Sequence, residues 1–279
     1  MPLRPPLEEE LLANVSTAER WWRFMRYTMH QRWQWLRSGK PFGIVSPKDA
    51  GSSRAAHIAA RVLDVSLLDR LSKRALAEQA SVHSAFCAAQ LLTIAARADR
   101  DRTWQLLLNP VSLGRHYDLE IADDFMLHAF TMDLFLEIDR KAGFWAVARA
   151  VLEQLVVKAA RRELLVPNVM NSVPLFNMRR VIAADGPKYD AMVTRLRRSI
   201  PSSTFVSSVT LGDVPQNYGQ SRLQWIAFFS ANDFTAFTTV ITRIRDSACW
   251  SVTHSDAISA DAMRSVMDDM QNLLVESTR

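Results

Sequence analysis

Three stretches of the sequence decide the fold: residues 81–92 read SVHSAFCAAQLL, residues 109–115 read NPVSLGR, and residues 143–155 read GFWAVARAVLEQL. Ser81 is a suitable N-cap, and the apolar run after it predicts a helix that ends near Asp99. Residues 144–163 carry apolar side chains at helical spacing, which predicts a second, amphipathic helix. Between the two helices, the leucine-rich residues 103–112 predict a strand.

More strands and helices are predicted on both sides of these stretches. Before them, a strand precedes a helix that Ser66 is expected to cap, and the last third of the chain is rich in strands before a terminal helix that starts at Ser259. The further predicted strands are residues 56–64, 125–138, 204–211, 222–230, 236–245 and 248–253. The three opening stretches together with the strand-rich last third predict the α/β class.

A helix that Ser16 or Thr17 caps is predicted to open at Glu19 or Arg20 and to run to about Ser38. It is aromatic and basic on several sides. Trp, Met and Arg are the usual anchors of protein interfaces, so we expect this helix to contact a partner. The residues expected in the contact are Trp22, Met25, Arg26 and Trp33. The alternative is that the helix packs between the lobe and its linker, and a membrane surface is the least favoured reading.

Composition and charge exclude several classes of protein. A chain of 279 residues with 48% hydrophobic residues can bury the core of a globular protein. No apolar run reaches the length of a membrane-spanning helix and the first residues lack an apolar signal region, so we expect a cytoplasmic protein. The net charge of +5 is mild and no nucleic-acid-binding motif accompanies it, so we expect no nucleic-acid partner.

In their order and spacing, the three stretches resemble the C-terminal lobe of the CoA-dependent acyltransferase superfamily, which includes chloramphenicol acetyltransferase, alcohol acetyltransferases and the condensation domains of peptide synthetases. The resemblance implies a mixed β-sheet flanked by helices over residues 55–279, preceded by an N-terminal arm, helix and loop over residues 1–54. It also implies that the family's catalytic motif, His-His-x-x-x-Asp-Gly, belongs to the other lobe. The six histidines of this chain include no adjacent pair, so we predict no catalytic residue in it.

The resemblance implies a lobe interface and a substrate tunnel. Arg115 follows the Pro-Val phrase, where the family has an Arg that pairs with the Asp of the catalytic motif; because the phrase is one residue longer here, an exposed surface position stays open. Residues 207–212 read SSVTLG and resemble the family's strand over the tunnel, with a Thr in place of the usual Asn. The tunnel candidates are Ser207, Ser208, Thr210 and Tyr218.

Two residues of the helix that Ser81 caps could suggest other chemistry. His83 and Cys87 are four residues apart on one face, yet no third ligand lies near in sequence, so we predict a buried face and no metal site. The resemblance agrees, because a Val-His pair at this helix start is common in the family and does not supply its catalytic base.

The sequence leaves two functions open. In the first, the chain is the tunnel-forming half of a split acyltransferase that uses an acyl group on CoA or on a phosphopantetheine carrier, and a partner supplies the histidine motif. In the second, it is a catalytically inactive scaffold that docks an acyltransferase or an acyl carrier protein. Both readings predict a partner, either a first-lobe protein or a second copy of the chain, no tightly bound cofactor, and no acyl transfer by the chain alone. A third possibility is that the chain is part of a longer enzyme.

Overall fold

The computed structural model describes residues 15–39, 41–44, 56–112, 129–161, 203–211, 214–229, 235, 237–244 and 247–279. Within these residues the elements are, in chain order, α1 (Thr17–Ser38), β1 (Ala56–Leu63), α2 (Val65–Ala77), α3 (Val82–Ala95), β2 (Arg102–Ser112), β3 (Ala129–Asp139), α4 (Phe144–Ala160), β4 (Ser203–Leu211), β5 (Asn217–Tyr218), β6 (Ser221–Arg222), β7 (Phe237–Ile244), β8 (Ser247–Ser255) and α5 (Ala260–Glu276).

Six of the strands form one mixed sheet in the order β1-β8-β7-β4-β2-β3. The central strands β2, β4 and β7 are parallel, and β3, β8 and β1 pair with their neighbours in the antiparallel sense. Helices pack on this sheet, so the predicted α/β fold with a mixed sheet flanked by helices is confirmed. Strands β5 and β6 form a separate hairpin, whose turn places Gly219 at a φ of +63°, a value that glycine adopts without strain.

Helix α3 is the centre of the core. Every residue from 84 to 95 is buried, because this helix contacts β2, β3 and β4 on the sheet and α2, α4 and α5 around it. A helix that is apolar on all sides is stable only in such a position. The ring of Phe86 meets Trp250 of β8 edge to face, with the ring centroids 6.2 Å apart, and both side chains are fully buried. Burial of each such side chain stabilises the fold by about 1.5–3 kcal/mol.

The helix starts follow capping chemistry, with one correction. Ser81 and Ser259 cap α3 and α5 as the sequence predicts. Helix α2, however, is capped by Asp64 and not by Ser66. The Asp64 carboxylate accepts hydrogen bonds from both the backbone N–H and the hydroxyl of Ser66. Ser66 is therefore the donor in the first turn of the helix and Asp64 is its cap. These bonds also lower the pKa of Asp64.

The strand predicted over residues 222–230 is wrong in most of its length. Only Ser221–Arg222 is paired, and residues 223–229 have no regular secondary structure. Side chains of the sheet replace a backbone ladder there: the Ser251 hydroxyl donates to the carbonyl of Phe228 at 2.5 Å, and the Phe228 N–H donates to the Thr242 hydroxyl at 3.4 Å. The alternating sequence therefore marks an extended segment that lies against the sheet without joining it.

Candidate functional site

The first turn of α3 is held by a reciprocal pair of serines. The Ser81 hydroxyl accepts a hydrogen bond from the Ser84 N–H at 3.0 Å, and the Ser84 hydroxyl accepts one from the Ser81 N–H at 2.9 Å. This capping box satisfies two backbone donors that a helix start leaves free and fixes the geometry of the turn. His83 lies within that turn, so its position is set by the cap.

Two parallel strands separate next to this turn. The ladder between β2 and β4 runs from Leu106 opposite Ser203 to Leu108 opposite Phe205 and ends there. Asn109 follows Leu108, the last paired residue of β2, and Ser208 lies three residues after Phe205, the last paired residue of β4. Both side chains are on the sheet face that α3 covers, since each is hydrogen-bonded to a residue of that helix.

His83 bridges the two strands. Its Nδ1 atom is 2.8 Å from the Ser208 Oγ, and its Nε2 atom is 2.8 Å from the Asn109 Oδ1. An amide oxygen can only accept a hydrogen bond, so Nε2 carries the proton and donates to Asn109. In a neutral imidazole Nδ1 is then the acceptor, and the Ser208 hydroxyl donates to it. We call these three residues, Ser208, His83 and Asn109, the hydroxyl relay.

Burial divides the hydroxyl relay into an exposed end and an enclosed end. Ser208 is exposed, whereas Asn109 is fully buried. Desolvation of the imidazole lowers the pKa of His83 below its usual 6.5, and the hydrogen bond to Asn109 opposes that shift only in part. His83 is therefore neutral at pH 7 and able to accept a proton at Nδ1.

Cys87 lies beside the relay without being reactive. Its thiol is 3.5 Å from both the His83 Nε2 and the Asn109 Oδ1, and it donates to the latter. Complete burial raises the pKa of Cys87 far above its usual range, so the sulfur stays protonated. Among the described residues no group of three or more His, Cys, Asp or Glu side chains is arranged to hold a metal ion, and the His83–Cys87 pair therefore has no third ligand there.

The structure separates the predicted tunnel residues. Ser208 and Thr210 are both exposed and lie on the same face of β4, whereas the half-buried Ser207 lies on the opposite face. Tyr218 is exposed on the small β5–β6 hairpin, and no hydrogen bond among the described residues joins it to Ser208. Arg115 lies outside the described residues. Tunnel and lobe-interface roles for these residues stay predictions.

The predicted interface residues share one property on α1. Their side chains, those of Trp22, Met25, Arg26 and Trp33, are all exposed. The helix is held on its other side by buried Phe24 and by Tyr27, whose hydroxyl donates to the Asp133 carboxylate of β3 at 2.5 Å. No helix in the described part of the chain has both the length and the apolar character needed to cross a membrane.

An open cavity of about 390 Å³ lies between α1, β3 and α4. Its wall carries mixed polar and charged groups, among them His30, Gln34, Glu153, Gln154 and Lys158. The Gln154 side chain donates to the carbonyl of Phe135 at 2.9 Å, which fixes that part of the wall.

Sequence reasoning named one member of the hydroxyl relay, Ser208, as a site residue and missed the other two. The sequence predicted a buried face for His83, and it assigned no separate role to Asn109 within the stretch of residues 109–115. A signal for Asn109 was present: it is an amide inside the apolar run LLLNPV, and a buried amide needs a hydrogen-bond partner.

No protein-family model and no curated protein matches this chain. Solved structures do match it at the level of the fold. The TRI3 trichothecene 15-O-acetyltransferase from Fusarium sporotrichioides matches with a TM-score of 0.66 and 10% identity over 96% of this chain and 54% of its own. The EpoB NRPS cyclization-docking bidomain from Sorangium cellulosum matches with a TM-score of 0.63 and 12% identity over 100% of this chain and 54% of its own.

A third match is the first condensation domain of the calcium-dependent antibiotic synthetase, with a TM-score of 0.55 and 12% identity over 97% of this chain and 53% of its own. The chain thus spans about half the length of each of these three structures. At these identities the likeness shows the fold. The predicted fold, that of one lobe of an acyltransferase, is therefore confirmed.

Proposed function

We propose that this chain is the tunnel-forming half of a split acyltransferase, which works with a partner that supplies the His-His-x-x-x-Asp-Gly motif. The observation that carries the proposal is the fold match, which covers nearly all of this chain and about half of each matched structure. Half of a two-lobe architecture leaves room for a second polypeptide segment of similar size.

The histidine content supports a base that comes from elsewhere. The six histidines of the chain include no adjacent pair, so the motif that the resemblance implies is not in this sequence. A general base must lie within hydrogen-bond reach of the acceptor proton. In this proposal the partner's second histidine takes that position at the lobe boundary, and Arg115 pairs with the partner's Asp.

The proposed substrate is an acyl thioester of CoA or of a phosphopantetheine carrier, and the acceptor is an alcohol or an amine. One of the matched structures is an O-acetyltransferase, which supports an alcohol as the acceptor, and the amine is proposed from the family resemblance. Exposed hydroxyls of Ser208 and Thr210 and the phenol of Tyr218 are the groups proposed to contact the pantetheine arm.

Reconstitution tests the proposal. Proteins that co-purify with the chain from its native extract are identified by mass spectrometry, and one that contains His-His-x-x-x-Asp-Gly is expressed separately. Acyl transfer from acetyl-CoA or an acylated carrier to an alcohol or amine is then followed with each protein alone and with the two mixed. We expect product only from the mixture, since loss of a general base costs about 10²–10⁴-fold in rate.

The control for reconstitution is the mixture in which the partner's second motif histidine is replaced by Ala, which should lose the activity. Acyl transfer by the purified chain alone at the rate of the mixture contradicts the proposal, and so does full activity of the partner without the chain. If the motif lies on the same polypeptide as this chain, the split arrangement is wrong although the lobe assignment stands.

A scaffold function is the second candidate, and the exposed face of α1 favours it. Trp22 and Trp33 are 68% and 56% exposed, more aromatic surface than one helix of a monomer usually leaves in water. An inactive lobe that docks an acyltransferase or an acyl carrier protein would also bind its partner in the reconstitution, but it would leave the partner's rate of acyl transfer unchanged.

A further inference from the structure

We infer that Ser208 is a nucleophilic serine that His83 activates and Asn109 orients, so that the chain accepts an acyl group from a carboxylic ester on its own hydroxyl. This activity shares Ser208 with the tunnel proposed above but is distinct from the acyl transfer proposed there, because it needs neither a second lobe nor an added acceptor. The inference rests on the geometry of the hydroxyl relay and on its place in the sheet.

The hydrogen-bond directions along the relay are those that nucleophile activation requires. The Ser208 hydroxyl donates to Nδ1 of His83 at 2.8 Å, and Nε2 of the same ring donates to Asn109 Oδ1 at 2.8 Å. A nucleophile, a base within reach of its proton and a third group that fixes the tautomer of the base form the arrangement common to serine and cysteine hydrolases on unrelated folds. The orienting group here is an amide, as in cysteine proteases with a Cys-His-Asn set.

Burial assigns each residue to its part in this chemistry. The nucleophile is exposed and open to a substrate, while the orienting amide is fully enclosed. Asn109 also keeps its Nδ2 atom without a hydrogen-bond partner among the described residues. A buried donor left unpaired costs about 1–3 kcal/mol, which offsets part of what the hydrogen bonds to Oδ1 contribute to stability. Its two accepted hydrogen bonds, from His83 and Cys87, are consistent with a role in holding the ring.

The relay occupies a place where α/β sheets bind ligands. It lies just past the last residue pair of two parallel strands, towards their carboxyl ends, where β2 and β4 separate. His83 belongs to the first turn of α3, so the positive end of that helix is at the same place. A positive helix end stabilises the negative charge that forms on a carbonyl oxygen during acyl transfer.

The reaction consumes only the ester and water. The Ser208 Oγ attacks the carbonyl carbon of the ester, and its proton passes to Nδ1 of His83. The new Oγ–C bond forms, the bond from carbon to the leaving oxygen breaks, and Nδ1 returns the proton to the leaving alcohol or phenol. Water then attacks the acyl-serine with His83 again as the base, which releases the carboxylic acid and restores the hydroxyl.

Covalent labelling tests the site directly. The chain is treated at pH 7.5 with a fluorophosphonate, which phosphonylates activated serines, and in parallel with p-nitrophenyl acetate. Intact mass and peptide mapping then locate the adduct. We expect a single adduct on Ser208, lost in Ser208→Ala and formed about 100-fold more slowly in His83→Gln. Ser221→Ala, which removes an exposed serine of the β5–β6 hairpin, is the matched control and should label like the wild type.

A second pair of variants keeps the test independent of folding defects in His83→Gln. Ser208→Cys replaces the exposed hydroxyl by a thiol, and its alkylation by iodoacetamide is compared in the His83 and His83→Gln backgrounds after circular dichroism has shown that both are folded. We expect alkylation at pH 7 to be at least about tenfold faster with His83 present, because only the thiolate reacts.

Two outcomes overturn the inference. One is labelling of other residues at rates equal to that of Ser208. The other is a Ser208 rate that His83→Gln leaves unchanged in a folded protein, which makes the relay a structural hydrogen-bond network. Neither outcome bears on the split acyltransferase, whose measurement is acyl transfer to an added acceptor in the presence of the partner.

Discussion

The desolvated imidazole of His83 makes the stability of this fold depend on pH. Its folded-state pKa lies below the usual 6.5 because burial disfavours the charged ring. The unfolded chain therefore binds more protons than the folded chain at a pH between these two pKa values. The His83 contribution is complete above about pH 6.5 and is lost as the pH falls through the folded-state pKa, with a slope of up to about 1.4 kcal/mol per pH unit.

The measurement is the free energy of unfolding in urea at pH 7.5 and at pH 5.5 for the wild type and for His83→Gln. We expect the wild type to lose more stability than the variant between the two values, because glutamine does not titrate. Equal losses for the two proteins would mean that His83 has the same pKa in the folded and unfolded chains.

The residues of the hydroxyl relay show how far sequence could go towards the site. Ser208 was predicted from a resemblance of its strand, and the structure places it at an exposed position next to α3. Its partners are 125 and 99 residues away in sequence, so only the packing of α3 on the face of β2 and β4 brings them together. An apolar neighbourhood correctly predicts that His83 is partly enclosed, but it says nothing of the strand that its Nδ1 meets.

The capping box at the start of α3 is worth testing because this helix is the centre of the core. Replacing Ser81 by Ala removes the acceptor of the Ser84 N–H and loosens the reciprocal bond. Loss of such a cap typically costs about 1 kcal/mol. We expect the urea unfolding of Ser81→Ala to show a loss of that size, and Ser221→Ala, at an exposed strand position, to change the stability by less than about 0.5 kcal/mol.

A loss in Ser81→Ala no larger than that in Ser221→Ala would show that packing alone fixes the first turn. The same comparison also bears on the relay, since His83 lies in that turn. If the cap positions the ring, Ser81→Ala should slow the labelling of Ser208 as well.

Helices were easier to predict than strands in this chain, for a physical reason. A helix is specified locally by its cap and its 3.6-residue period, and α3, α4 and α5 begin where the sequence indicates. A strand needs a partner that the local sequence does not contain. Residues 223–229 alternate like a strand but bond to the side chains of Ser251 and Thr242, so they stay outside the sheet. The cap of α2 was misplaced by two residues because Asp64 and Ser66 are both good caps.

Association is the property of the complete chain that α1 should control. Tyr27 and Phe24 fix one side of this helix to the rest of the lobe, so the exposed side is presented as a rigid surface. Trp22, Met25, Arg26 and Trp33 are the residue types that dominate binding energy in protein interfaces. The guanidinium of Arg37 lies 5.2 Å from the Trp33 ring centroid, which further orders this surface.

We therefore expect the double substitution Trp22→Ala, Trp33→Ala to weaken association by more than about tenfold, because truncation of one central Trp commonly costs about 2 kcal/mol or more. The expectation is the same whether the partner is a first-lobe protein or a second copy of the chain. Light scattering over a range of concentrations measures self-association, and titration against the reconstituted partner measures the other case. Trp225→Ala removes a comparably exposed indole far along the chain from α1 and is the matched control. Circular dichroism should show the sheet unchanged in all variants. If the wild-type chain stays monomeric at high concentration and does not bind the partner, α1 has no interface role. If the double variant associates as tightly as the Trp225→Ala control, the contact lies elsewhere on the surface.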